Sequence, residues 1–218
     1  MTRNRIATML VVVGIQGMWA QSAGTVPKSA PPQDEGLVGR ALGVLAPSEA
    51  TPLTARQRFH DYLVSMVGPL AIVSESASTG ISQWRDSPPE WGQGGSGYGK
   101  RFASKMAHNA VRHTIIYGAS TLLQEDNRYF ASGRNGVKAR VIYAVTSPVA
   151  GIRHGRRTVS FSSVSGMVGS AAISQAWAPP SQRGADDFAI DVALTYAGIA
   201  GLNVVREFVP DLIRKLRK

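Results

Sequence analysis

The stretch Trp91-Gly92-Gln93-Gly94-Gly95-Ser96-Gly97-Tyr98-Gly99-Lys100 holds the two strongest suggestions of chemistry in the chain. Gly92 to Gly97 has the spacing of a dinucleotide-binding turn, and Gly94 to Gly99 followed by Lys100 has most of a phosphate-binding P-loop. Both fail on context. A P-loop needs Ser or Thr after its lysine to hold magnesium, and Arg101 stands there. Both motifs also need a preceding hydrophobic strand, which Ser87-Pro88-Pro89-Glu90 does not supply. Trp91, Gly92, Gly94, Gly97, Tyr98 and Gly99 therefore read as a loop, a flexible hinge between two helices.

The histidines are His60, His108, His113 and His154. His108 and His113 are five apart, far from one face of a helix, and do not make a zinc pair. No His-Glu-x-x-His, Gly-x-Ser-x-Gly, Ser-x-x-Lys or calcium loop occurs. The expectation is no metal and no cofactor, and no catalytic residue is assigned. Asp61 beside His60 is weak support for a triad assembled from distant residues.

Charge carries more. The formal net charge is +10. From Trp91 to Ala185 the carboxylates are Glu125 and Asp126, against twelve basic residues from Lys100 to Arg183, so twelve minus two gives the whole excess. A one-signed field of this kind attracts lipid headgroups or acidic polysaccharide. Arg101, Lys105, His108 and Arg112 follow one another at helical spacing and share a face with no acid near them in sequence, which makes them the expected anion or membrane contact. The basic end Arg214, Lys215, Arg217 and Lys218 adds to it.

These groups must be positioned by helices. Thr54 is an expected N-cap, and Phe59, Leu63, Met66, Val67 and Leu70 recur at helical period, with Pro69 expected to kink a helix running on to Trp84. A second helix is expected from Lys100 to Gln124, then a break at Glu125 to Arg128 and a turn at Asn135-Gly136. Val137 to Ile152 reads as a helix, although Val137 to Val164 suits strand as well and Thr158 to Phe161 alternates. Ser162 to Trp177 and Asp186 to Val209 complete a set of about five helices, the last closed by Pro210. The fold class is all-α, one domain with Gly-rich connections.

Three helices carry small residues in register. Ala103, Ala107, Ala110, Thr114 and Gly118 fall along one side of the second helix, Ala189, Ala193, Ala197 and Gly201 along the last, and Ser162, Gly166, Ser170 and Ser174 repeat the four-residue step. Such seams allow close helix approach. They are compatible with packing inside the domain or with a homo-oligomer.

The N-terminus sets the compartment. Arg3 and Arg5, the apolar stretch Ile6 to Trp19 and small residues at Ala20 to Ala23 read as a secretory signal, with cleavage near Ala20 or Ser22. The expected organisation is a signal peptide over 1–22, a flexible Pro/Gly/Ser-rich leader over 23–53, and a helical domain over 54–218. The chain has no cysteine, which excludes disulfides and a lipoprotein anchor. No stretch of the mature chain reads as a bilayer span: Thr158 to Gln182 lacks charge but holds six serines up to Ser174.

Glu90-Trp91-Gly92-Gln93-Gly94 with Gly97 to Phe102, Asp126 to Phe130 with Gly133, and Arg206 to Asp211 together resemble a family of exported bacterial proteins of unknown function, over roughly Leu53 to Asp211. Members have proline where Asn127 stands, a difference expected to alter only a turn. The resemblance implies export and a single domain, and supplies no catalytic residue.

The expected function is that of an exported periplasmic or cell-envelope protein with a structural or interaction role. Its helices pack through small residues, and its basic surface meets an anionic envelope component such as the membrane face; no nucleic acid partner is expected. One alternative is a hydrolase-like periplasmic enzyme with 92–99 as a lid over Arg101, Arg128 or a histidine. Another is an outer-membrane barrel, which needs about eight alternating strands.

Overall fold

The computed structural model describes residues 47–48 and 52–216. The signal sequence expected over 1–22 and most of the leader lie outside the described residues. Ser48, within that leader, donates its N–H to the Tyr129 carbonyl at 2.7 Å and so is tied to the folded body.

Helix α1, Ala55–Val67, begins as its sequence requires: the Thr54 hydroxyl accepts from Gln57 N–H at 3.3 Å, and the Gln57 side chain accepts from Thr54 N–H at 2.9 Å. This reciprocal pair satisfies two N–H groups that a helix end leaves free. Instead of kinking at Pro69, the chain stops and restarts. Pro69 is the first residue of α2, Pro69–Trp84, where its missing N–H costs nothing. Gly68 lies between the helices, and a Cβ there would meet the Val64 carbonyl oxygen at 2.3 Å.

Helix α3, Gly94–Leu123, starts six residues before the expected Lys100. The expected loop is therefore corrected: Gly94, Gly97, Tyr98 and Gly99 are helical, and Trp91 ends a 3-10 turn, Pro89–Trp91. Glycine weakens a helix by about 1 kcal/mol relative to alanine, but here two of its properties are used. Gly92 adopts φ +63 to turn the chain. At Gly97 a Cβ would stand 2.2 Å from the Gly92 carbonyl oxygen, so only glycine lets the helix start against that turn.

Three short strands follow the helix: β1, Glu125–Asp126; β2, Ala150–Arg153; and β3, Arg156–Val159. They form an antiparallel sheet in the order β1-β2-β3, with Glu125 opposite Arg153 and Ala150 opposite Val159. His154 and Gly155 both have positive φ, 49 and 72, the signature of a tight hairpin turn. The helix expected over Val137 to Ile152 is only half realised. Helix α4, Val137–Thr146, gives way to a 3-10 turn, Ser147–Val149, because Pro148 cannot donate to a continuing helix. The residues beyond it find ladder partners on both sides.

Helix α5, Phe161–Ser174, is capped by the Ser160 hydroxyl, which accepts from Ser163 N–H at 3.0 Å. Helix α6, Ala185–Leu216, runs through Pro210 instead of closing before it. The fold is mainly helical, as expected. Its centre is α3, which packs most extensively on α5 and then on α2 and α1, while α6 packs on α4 and α5.

Of the three small-residue seams, one is an internal contact. Ser162, Gly166, Ser170 and Ser174 are all buried. At Gly166 a Cβ would meet Ile116 Cγ1 at 2.3 Å and the Arg112 carbonyl oxygen at 3.2 Å. The other two face outward: Ala103, Ala107 and Gly118 on α3, and Ala189, Ala193, Ala197 and Gly201 on α6, are exposed, with Ala110 partly covered. Nothing lies within 4 Å of a Cβ built on Gly201. Gly166→Leu is thus expected to cost about 3 kcal/mol or more by overpacking, and Gly201→Leu to leave thermal stability within about 0.5 kcal/mol. Thermal melts of the two variants side by side check this.

Candidate functional site

Helical spacing puts Arg101, Lys105, His108 and Arg112 on one face of α3, and the structure keeps them together. That face points inward, so the expected basic surface contact is corrected. Arg101 is 1 % exposed. Its Nε donates to Ser87 O at 3.0 Å, Nη1 to Gln83 Oε1 and Gly92 O, both at 2.6 Å, and Nη2 to Pro88 O at 2.7 Å and Asp86 Oδ1 at 3.2 Å. All its donors are spent on the turn that joins α2 to α3. Lys105 is half-buried within electrostatic reach of Glu75 on α2 and Asp191 on α6. Arg112 Nη2 meets Asn109 Oδ1 at 3.0 Å and His113 Nε2 at 2.8 Å. The Asn109 side chain donates in turn to the carbonyls of Ser65 and Met66, both at 3.1 Å, which fastens α1 to α3.

His108 completes an arrangement the sequence did not reveal. Its Nε2 lies 2.7 Å from Ser170 Oγ on α5, and its Nδ1 lies 3.7 Å from Asp191 Oδ1 on α6. Serine, histidine and aspartate in that order suggest an activated nucleophile. The burial argues otherwise: Ser170 is 0 % exposed, in mid-helix, and its hydroxyl also bonds back to Met167 O at 3.2 Å. An acyl carbon has no path to that oxygen. The lid of the enzyme reading has likewise become the first turns of α3, closed on Arg101. A fluorophosphonate serine probe is expected to leave Ser170 unlabelled, as intact-mass and peptide analysis can check. Among the described residues no group of His, Asp and Glu is placed to hold a metal ion.

Two buried carboxylates organise the other half of the molecule. Glu125 on β1 sits at the N-terminus of α5, where it accepts from Ser160 Oγ and Ser162 N–H, both at 3.0 Å, from Phe161 N–H at 3.3 Å, and from the Ser162 hydroxyl. An anion is favoured there by the free N–H groups and the helix dipole. Burial alone would raise its pKa; the hydrogen bonds from Ser162, Ser160 and Phe161 outweigh that and hold it below the usual carboxylate value. The stability this contributes is present above the unfolded glutamate pKa and is lost as pH falls through the folded one. Asn127 bridges the same cluster, donating to Ser162 Oγ at 2.7 Å and accepting from Ser160 Oγ at 2.8 Å. It does more than alter a turn, which corrects the expectation placed on it.

Glu207 on α6 is the second. It accepts from Tyr129 Oη at 2.5 Å, Ser132 Oγ at 2.5 Å, Ser132 N–H at 3.1 Å and Arg140 Nε at 3.0 Å. Arg140 also pairs with Asp211 at 2.5 Å and donates to the Glu207 carbonyl beside the gap that Pro210 leaves in the ladder.

Between α1, α2, α3, α6 and the β1–β2 strip lies a cavity of about 520 Å³, whose wall includes Arg58, Glu75, Arg112, His113, Arg157 and Arg206. Sequence reasoning missed Glu207, Arg140 and Arg206. A signal existed: Asn203, Arg206 and Glu207 are three and four apart in an otherwise apolar helix, a polar stripe on one side.

No family model, no curated protein and no solved structure matches the chain.

Proposed function

We propose that this is an exported cell-envelope protein with a structural or interaction role, set in the membrane through apolar outer faces, with α6 crossing the bilayer. The observation that carries the reading is an inversion of the usual burial pattern. Among the fully buried side chains the largest are Arg101, Glu125 and Glu207, followed by Thr79 and serines. The outside carries Phe59, Leu63 and Val67 on α1, Ile72, Val73 and Trp84 on α2, Val168 and Ile173 on α5, and Ile190, Leu194, Val205 and Leu212 on α6. In water such an exterior is costly at about 25 cal/mol per Å². In lipid it is the expected solvent-facing composition, and ionisable groups turn inward and pair.

Against the expectation that no stretch of the mature chain reads as a bilayer span, helix α6 is long and apolar enough to cross a membrane, and only 11 % of its apolar window is buried inside the protein. Its polar residues Asn203 and Glu207 are buried against the body, while Leu194, at 66 % exposure, points out. Asp186 and Asp187 stand at one end and Arg214 and Lys215 at the other, and between Phe188 and Val205 the one charged residue is Asp191. Exposed basic residues of the body include Arg56 at the start of α1, Arg85 at the end of α2, Lys100 in the second turn of α3, and Arg134, Lys138, Arg156 and Arg183. They are the groups that would meet anionic headgroups, at about 1 kcal/mol per residue near an anionic surface.

The test is alkaline carbonate extraction of membranes from producing cells, together with Leu194→Arg. The wild type is expected to stay in the pellet, and the variant to lose membrane retention because arginine at a lipid-facing helix centre costs about 2.5–3.5 kcal/mol. Release of the wild type by carbonate, or a Leu194→Arg protein that behaves as wild type, would refute the reading. Release together with a defined homo-oligomer on size analysis would assign the apolar faces to a second copy.

A further inference from the structure

From Arg206 and its surroundings we infer that the cavity between α1, α2, α3 and α6 binds a phosphate group. Arg206, on α6, is half-buried and lines the cavity. Its Nε is closed off from solvent and has no hydrogen-bond partner. A guanidinium carries five donors that must be satisfied when water is excluded, and a buried charge without a partner is strongly destabilising unless a ligand completes it.

The neighbouring carboxylates do not neutralise it. Glu207, next in sequence, is committed to Tyr129, Ser132 and Arg140. Glu125 is committed to the N-terminus of α5. Asp126 is held by Arg128, with Nη2 to Oδ2 at 2.7 Å and Nε to Oδ1 at 3.0 Å. Two acids remain on the wall, and each has a basic neighbour: Glu75 feels Lys105 and Arg112, and Asp61 lies 3.7 Å from His60 Nδ1.

Arg112 and Arg157 line the same space as Arg206 and add positive charge to it, although each is already engaged, Arg112 with Asn109 and His113 and Arg157 with Ser147 and the Tyr143 ring. Several guanidinium groups around one cavity match the divergent oxygens of a phosphate better than the flat edge of one carboxylate. Part of the wall is apolar, with Leu53, Val64, Leu70, Ile116, Ile199 and Leu202. That composition suits the glycerol and first methylenes of an anionic lipid as well as a free phosphate. The binding chemistry is the same for both, and it does not depend on how the protein sits in a membrane.

The experiment is isothermal titration of the full-length protein in a non-ionic detergent with inorganic phosphate and, separately, with dihexanoyl phosphatidic acid. Saturable binding of either at about one equivalent is expected. Binding of the lipid alone identifies a headgroup site, and binding of both shows that the phosphate suffices. Arg206→Gln should weaken binding at least about tenfold, equivalent to about 1.4 kcal/mol, whereas Arg85→Gln, on the exposed end of α2 away from the cavity, should not change it. Should Arg206→Gln not fold, Leu202→Trp, which fills the cavity and keeps every arginine, should abolish binding. Absence of saturable binding to the wild type overturns the inference, as does equal affinity in Arg206→Gln and Arg85→Gln, or unchanged affinity in Leu202→Trp.

Discussion

Arg101→Ala is expected to lower stability by about 3–5 kcal/mol, the usual cost of breaking a buried, hydrogen-bonded charge cluster by removing one partner. The reason lies in what the guanidinium leaves behind. The carbonyls of Ser87, Pro88 and Gly92 converge on it, with Gln83 Oε1 and Asp86 Oδ1 around them. Asp86 Oδ1 keeps the Gln93 amide as a donor, but an alanine takes the Arg101 donors from the carbonyls of Ser87, Pro88 and Gly92, at about 1–3 kcal/mol for each group left unsatisfied before relaxation. Arg101→Lys should recover little, because a single ammonium cannot span five acceptors that a planar fork reaches. The two substitutions are to be compared by denaturant midpoint in mild detergent. A loss under about 1 kcal/mol for Arg101→Ala would show that the Ser87 to Gly92 turn holds without its clamp. Local readout is available too: hydrogen exchange should quicken first at the start of α3, where Gly94 to Gly99 depend on that contact for their helical form.

Glu207→Gln should be nearly as damaging, at about 3 kcal/mol or more. The carboxylate accepts from Tyr129, Ser132 and Arg140 together. An amide has one oxygen to offer and sets an NH2 against groups that are themselves donors. Arg140 would keep Asp211, at 2.5 Å, but lose its partner in the buried half of the pair. Because this cluster joins the 129–132 strip and α4 to α6, the variant should free α4 before the α3–α5 contact loosens. Exchange faster in Val137–Thr146 than in Phe161–Ser174 would show this, and equal rates would argue that Glu207 contributes no more than its neighbours. Serine supplies an independent check: Ser132→Ala removes the hydroxyl bond to the carboxylate and keeps the N–H bond, at the lower cost of about 1 kcal/mol.

Much of the helical fold was legible in local chemistry. Thr54 and Gln57 announce the start of α1, and Pro69 announces a break that Gly68 makes complete. Pro148 and the turn at His154-Gly155 explain why Val137 to Val164 could be read either way: the stretch holds a helix, two strands and the start of another helix. Gly94 to Gly99 points to a loop by composition, because glycine lacks helix propensity. Its helical form depends on Gly92, Gly97 and Arg101 meeting in space, which no window of sequence displays.

What the sequence determined by itself is which residues share a face. Period fixes that Arg101, Lys105, His108 and Arg112 lie together, that Ala189, Ala193, Ala197 and Gly201 lie together, and that Asn203, Arg206 and Glu207 do too. The tertiary structure decided which face is inside. Periodicity is unchanged when a helix is rotated half a turn, so it does not say which face is buried. Here the polar stripe of α3 meets Glu75, Ser170 and Asp191 from three other helices, and those partners, distant in sequence, make burial of the charged face favourable.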